Sequence, residues 1–266
     1  MISHWLVTGD CHGQFGRFKN LDKTPNTAII ILGDVGANYH MEDKDRDTKR
    51  GLSKYPYTFY CVRGNHEGRP SDVEGMKLVY DEDVAGWVYI EEDFPNIKYF
   101  QDWGFYWIDG LYTLVIGGAY SVDKYYRLAN GWKWHANEQL TRNERAQCAA
   151  MAKGEYLDLI LTHTCPLSLQ PTDLFLRGLD QSTVDNTMEV WLEEIAKTFE
   201  WKIWLFGHYH ADRIEWPHVE QFYMEMEPLI DIVRRWKVYD ETKELDWWLP
   251  LSSRMKRLME KENEEV

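Results

Sequence analysis

Short apolar runs that stop abruptly at glycine or at a polar residue recur along this chain. Ser3–Thr8 and Thr27–Leu32 are rich in Ile, Val and Leu, and each runs into Gly-Asp. Tyr57–Val62 runs into Arg-Gly-Asn-His, Leu111–Ile116 into Gly-Gly, Tyr156–Leu161 into Thr-His, and Lys202–Phe206 into Gly-His. Runs of this length and composition predict buried strands, each delivering a polar residue at its C-terminal end. Helical patterning lies between them, over Gln14–Leu21, Asp43–Ser53, Asn137–Lys153 and Val184–Phe199. The alternation predicts an α/β sheet core, in which groups beyond the carboxyl ends of the strands gather although they are distant in sequence. Two stretches depart from the scheme and read as insertions: residues 68–108, which mix Gly, Pro, acids and aromatics, and residues 120–136, dense in aromatic and basic side chains. Residues 1–250 read as a single domain, and residues 251–266 as a helical tail that frays into solvent.

The polar residues at the predicted strand ends are a chemically coherent set. They are Asp10 and His12 in GDCHG, Asp34 in GDVG, Asn65 and His66 in GNHE, His163 in THT, and His208 and His210 in GHYH. Carboxylates, imidazoles and an amide oxygen are the donors that first-row divalent metals take. Flanking glycines permit tight turns that aim side chains inward. Five of the nine histidines lie in these motifs, and the donors exceed what one four-coordinate ion needs, so the expectation is two ions. A single Asp after Gly is ordinarily a turn residue and a single His a satisfied polar group; five motifs in this order are neither. His4, His40, His135 and His218 have no ligand-type neighbours and are assigned to surface or core. Cys11, between two candidate ligands, reads as a buried structural thiol, and the acidic stretches Asp81–Asp83 and Glu91–Asp93 as solvated surface.

Composition narrows the partners. A chain of 266 residues with 44% hydrophobic and 28% charged residues has enough material for one sizeable core and is not disordered throughout. Its net charge of −14 argues against a general grip on long nucleic acid, while leaving room for a local cationic site. Four cysteines without a C-x-x-C pair suit reduced intracellular thiols, and no stretch approaches a membrane span. The expected location is cytoplasmic, with no membrane partner; the sequence says nothing of oligomeric state.

The order D-x-H, GD, GNHE, H, GHxH resembles the calcineurin-like metallophosphoesterases over residues 9–210. That resemblance implies a four-layer αββα sandwich of two mixed β-sheets with the site at one edge. It implies Asp10, His12 and His210 on one metal, Asn65, His163 and His208 on the other, and Asp34 bridging. The implied cofactor is a pair of divalent transition-metal ions, manganese first, with iron, zinc or nickel as alternatives. It places His66 at the catalytic histidine, beside Asp34 and Asn65, and implies attack of a metal-bound hydroxide on a phosphorylated substrate. The wording GDCHGQF and VRGNHE is close to the phosphoprotein phosphatase branch, and GGAYSVDKYYR resembles a loop of bacterial and phage members. The departure is GDVGAN: Ala37 stands where relatives carry the Asp that pairs with the catalytic histidine, and Asn38 where they carry a phosphate-gripping Arg. Candidate substrate contacts are Asn38, Arg63, Arg69, Tyr120, Lys124 and Arg127. The aromatics Tyr120, Tyr125, Trp132 and Trp134 form either a stacking wall or a small core under the insertion. A phosphomonoesterase is the leading expectation; a phosphodiesterase or nuclease of the same superfamily is the alternative, and a non-catalytic binding module the third.

Overall fold

In the computed structural model, residues 1–175, 177–178 and 180–242 are described; the predicted tail, 251–266, lies outside them. The chain opens with β1 (His4–Thr8), β2 (Thr27–Ile31), α1 (Asp43–Ser53) and β3 (Thr58–Cys61). Five strands follow: β4 (Met76–Asp81), β5 (Gly86–Glu91), β6 (Ile97–Phe100), β7 (Trp103–Ile108) and β8 (Leu111–Ile116). Next come α2 (Lys124–Ala129), α3 (Arg142–Ala152), β9 (Tyr156–Thr162), α4 (Thr187–Thr198) and β10 (Glu200–Phe206). Then β11 (Arg213–Trp216), β12 (Val219–Gln221), β13 (Met226–Pro228) and α5 (Leu229–Thr242) complete the described elements. One sheet has the order β13-β1-β2-β3-β6-β5-β4 and the other β11-β12-β10-β9-β8-β7. Both are mixed: β1, β2, β3 and β6 are mutually parallel in the first, and β8, β9, β10 and β12 in the second, with antiparallel strands outside them.

The strand period of two separates three apolar layers. From β2, Ala28 and Ile30 enter the core between the sheets, while Ile29 and Ile31 face Phe15, Phe18 and Leu52 of α1 on the outside. From β10, Ile203 and Leu205 point inward, whereas Trp204 and Phe206 meet Cys148 of α3 and Trp191, Leu192 and Ile195 of α4. Helix, sheet, sheet and helix thus stack in four layers, as the sequence motifs implied. Helix α5 adds Leu229, Ile232 and Trp236 to the inter-sheet core. It is held by buried ion pairs from Arg235 to Glu220 and Glu227.

Four expectations change. Residues 68–108 are no insertion in the secondary-structure sense: they supply β4 to β7, with β6 pairing directly to β3 inside the first sheet. Gln14–Leu21 contains only a single 3₁₀ turn, Gly16–Phe18, because one turn suffices to bury Phe15 and Phe18 together and the glycines disfavour extension. Asn137–Lys153 becomes helical only at Arg142, where Thr141 and Glu144 form a reciprocal capping box. Asp81 and Glu91 are buried rather than solvated: Asp81 accepts from Tyr60 Oη at 2.9 Å, and Glu91 pairs with Lys49 of α1. The other helices fall close to expectation, with Asp43–Ser53 observed as read and Val184–Phe199 shortened to Thr187–Thr198.

Candidate metal centre and adjoining pocket

The parallel strands of both sheets end at the same edge, so the loops after β1, β2, β3, β9 and β10 converge there. His12 Nε2 and His210 Nε2 lie 3.0 Å apart, and Asp10 Oδ2 lies 3.2 Å from His210 Nε2. These three groups offer donor atoms within 4.8 Å of one another. Asp34 Oδ2 lies 3.6 Å from His163 Nε2 and 3.8 Å from His66 Nδ1, and His163 Nε2 lies 2.8 Å from Asn65 Oδ1. His208 packs against His163, ring centroids 4.9 Å apart. All seven candidate ligands are therefore at one place, with Asp34 between the two groups.

Local backbone conformation aims them. His12, Asp34, His208 and His210 all have positive φ, between 44° and 70°. For residues with a Cβ this conformation costs roughly 1–2 kcal/mol each, a strain typical of functional loops. Gly33, at φ +106, and Gly64 let neighbouring loops close in: a Cβ on either would sit 1.9 Å from His163 Nδ1 or from Asp34 Oδ1, respectively. Gly64→Ala is predicted to lower stability by about 1–3 kcal/mol, read as a reduced urea midpoint with unchanged slope.

A second layer orients the donors. His163 Nδ1 lies 2.9 Å from the Leu32 carbonyl, leaving Nε2 turned to the centre. Asp34 Oδ1 accepts from the His66 amide at 2.8 Å, and Asp10 Oδ1 from the His208 amide at 3.1 Å. The Asn65 amide donates to Ser121 Oγ at 2.9 Å, and Ser121 is anchored through its backbone N–H to Glu138. Asn65 thus presents its oxygen inward. Electrostatics follow the geometry. Burial would raise the Asp34 carboxyl, but His66, His163 and His12 together hold it below the usual range. Burial, with His163 nearby, pulls His208 down to about 3, the neutral form a metal requires. Asp10 Oδ2 is buried without a hydrogen-bond partner. A buried carboxylate oxygen that faces the imidazole nitrogens of His210 at 3.2 Å and His12 at 3.9 Å makes a donor set that fits divalent metal.

His66 sits beside this cluster with partners the sequence reading did not assign to it. Arg127 Nη2 lies 2.8 Å from its Nδ1 and 2.9 Å from its Nε2. Asp123 Oδ1 lies 3.8 Å from His66 Nε2, while Asp123 Oδ2 accepts from Arg127 Nε at 2.8 Å. Arg127 also donates to Tyr39 Oη at 3.2 Å. An acid and a guanidinium are thus delivered by α2 and the residue before it, while Ala37 and Asn38 are both fully buried. The i, i+4 spacing of Asp123 and Arg127 was a visible signal, but only the fold brings it against His66.

The remaining substrate candidates separate. Tyr120 lines a pocket of about 310 Å³ that opens onto Asp34, Asn65, His66, His208 and His210. Asn38 is not among its lining residues. Arg63 is buried, pairing with Asp102 and donating to the carbonyl of Glu138 at 2.8 Å, so it is structural. Arg69 is taken up by Asp102 and Glu144 and by the carbonyls of Asn137 and Gln139. Lys124 holds its ammonium 4.1 Å from the Trp134 ring centroid and is not among the pocket's lining residues. Tyr125 and Trp132 are exposed, so the four aromatics form no closed core, and of them Tyr120 alone lines the pocket. Glu144 shows the structural role of Arg69. Burial would raise its carboxyl, but hydrogen bonds from Arg69 and Thr141 hold it at about 2, against an ordinary 4.5. A depressed folded-state pKa contributes stability above pH 4.5 that is lost as pH falls towards 2. Glu144→Gln is predicted to melt below the wild type at neutral pH, with the gap narrowing as pH falls through that window.

All four cysteines are buried and free, Cys11 among them, and burial pushes its thiol up to about 12. No helix among the described residues is long and apolar enough to cross a membrane. No curated protein matches the chain. Among solved structures, the phosphopantetheinyl hydrolase PptH from Mycobacterium tuberculosis is 14% identical with a TM-score of 0.44, covering 94% of this chain and 96% of that one. The 5'-nucleotidase from Candida albicans is 12% identical with a TM-score of 0.38, covering 98% of this chain and 58% of that one. A family model described as calcineurin-like phosphoesterase matches residues 4–212, spanning every strand-end motif at the centre, and the chain belongs to that family.

Proposed function

We propose that this protein hydrolyses phosphomonoesters with two divalent metal ions held at the strand-end cluster. The carrying observation is the convergence of seven donors from five loops, with the Asp34 carboxylate between two groups and His66 alongside. Asp10, His12 and His210 would hold one ion, Asn65, His163 and His208 the other, and Asp34 both; manganese is the first candidate. The chemistry supplied by such ions is polarisation of phosphoryl oxygens and acidification of water.

The chain's own groups do the rest. A water oxygen joins phosphorus, the ester P–O bond breaks, and the alcohol leaves with a proton. His66 is placed to hand over that proton at the leaving oxygen. Arg127 fixes the His66 ring, and Asp123 fixes Arg127. The pocket beside His66, about 310 Å³, gives room for one organic substituent, which supports a monoester over a diester. Matched aryl phosphate mono- and diesters, assayed with added manganese, test the reading: monoester turnover is expected to dominate, and dominant diester turnover would overturn it.

A further inference from the structure

The pocket that adjoins the centre has a wall of its own, distinct from the ligands. The connection between β9 and α4 is long and built from short 3₁₀ turns, which marks a functional loop rather than a simple link. It contributes Leu174, Phe175 and Val184, and Val122 closes the pocket from the α2 side. Phe175 stacks on Tyr209 with ring planes 20° apart. The polar groups on this wall are neutral: Gln170 Nε2 donates to Tyr209 Oη at 3.2 Å and to Asn186 Oδ1 at 3.3 Å.

A cationic side chain is what the wall lacks. Among the described lining residues there is no Lys or Arg; Asp34 and Asp123 are acidic, Asp123 being paired with Arg127, and burial lifts the Glu189 carboxyl to about 7. Arg177, on the same connection, is solvent-exposed and outside the lining, and Arg127 is engaged by Asp123 and Tyr39 behind His66. Beyond the metal centre, a second anionic group on a substrate would therefore enter an apolar, amide-lined space with no cationic side chain to replace its hydration.

Resting on the phosphomonoesterase reading above, we infer that the pocket selects phosphate esters whose alcohol half is uncharged, with an apolar or aromatic body and amide-type hydrogen-bonding groups. Bisphosphates, nucleoside diphosphates and phosphorylated carboxylic acids are rejected by the same wall. Specificity lies in the β9–α4 connection and not in the metal ligands.

A matched pair isolates the charge: para-acetamidophenyl phosphate and para-carboxyphenyl phosphate have leaving groups of similar size and acidity but differ by one negative charge. On manganese-loaded protein the amide ester is expected to show kcat/KM at least about ten-fold higher, carried mainly by KM. Leu174→Lys, at a position already 39% exposed, is expected to shrink that ratio about ten-fold by adding a cation, as one charge-assisted contact allows. Leu174→Gln is expected to leave the ratio unchanged. Equal kcat/KM for the two esters, or a ratio indifferent to Leu174→Lys in a folded variant, would overturn the inference. If neither ester is hydrolysed, the catalytic reading fails, and calorimetric binding of the two corresponding aryl phosphonates decides the pocket separately. Preference for the amide compound upholds the inference, and equal affinity or no measurable binding of either overturns it.

Discussion

Asp34→Asn is expected to lower kcat/KM for an aryl phosphate by at least about a thousand-fold, roughly 4 kcal/mol of transition-state stabilisation. Asp34 is buried between the two donor groups, and one of its oxygens also receives the His66 amide. The amide variant keeps the shape and one accepting oxygen, so the fold should persist. What it removes is the negative charge that, in the reading proposed above, would let two cations sit side by side. Circular dichroism and melting temperature close to the wild type, with activity near the background of the assay, are the expected pair of results. Activity within ten-fold of the wild type would mean that the chemistry is elsewhere, or that it came from a contaminant.

Arg127→Ala is expected to reduce kcat about a hundred-fold on an alkyl phosphate, within the range that positioned proton transfer contributes. On para-nitrophenyl phosphate, whose leaving group departs without a proton, the loss should be under about ten-fold. The contrast follows from where the guanidinium lies: within 3 Å of both His66 ring nitrogens and tied by Asp123 and Tyr39. Arg127→Lys should recover little, because one ammonium cannot reproduce a planar fork that reaches three partners at once. Asp123→Asn should show the same leaving-group contrast at smaller size. Equal losses on the two esters would contradict a role exercised through His66 and assign Arg127 to gripping the phosphate instead.

The motifs around Asp10, Asp34, Asn65, His163 and His208 were legible because strand-end loops encode ligand geometry locally. A glycine, a donor and a turn lie within a few residues, and parallel strands in register do the gathering. The four-layer fold was legible only as what the resemblance carried by those motifs implies; that Ala28 and Ile30 face one layer and Ile29 and Ile31 another appears only in the structure. What the sequence did not disclose depends on contacts between distant segments. Arg127 stands on a helix of six residues with no strong pattern of its own and Asp123 just before it, and their meaning depends on His66 lying opposite. Ser121 and Glu138, which turn the Asn65 amide, are ordinary residues until the loop folds over. Arg63 and Arg69 were read as substrate contacts because a cation near a phosphate motif invites that reading; carboxylates and carbonyls far along the chain had claimed them. Residues 68–108 misled for a different reason. Antiparallel strands such as β4 have one solvated face, so their apolar runs are interrupted, and charged positions that fold inward, such as Asp81 and Glu91, imitate surface. Helix α5 was overlooked although Leu229, Ile232, Val233 and Trp236 keep a helical period.

The central claim is a pair of metal ions sharing Asp34. Manganese titrated into metal-stripped protein and followed by electron paramagnetic resonance tests it most directly. The account predicts two manganese ions bound per chain and the multiline signal of an exchange-coupled pair, lost in Asp34→Asn. An isolated-ion signal that saturates at one equivalent, unchanged by that substitution, would contradict it.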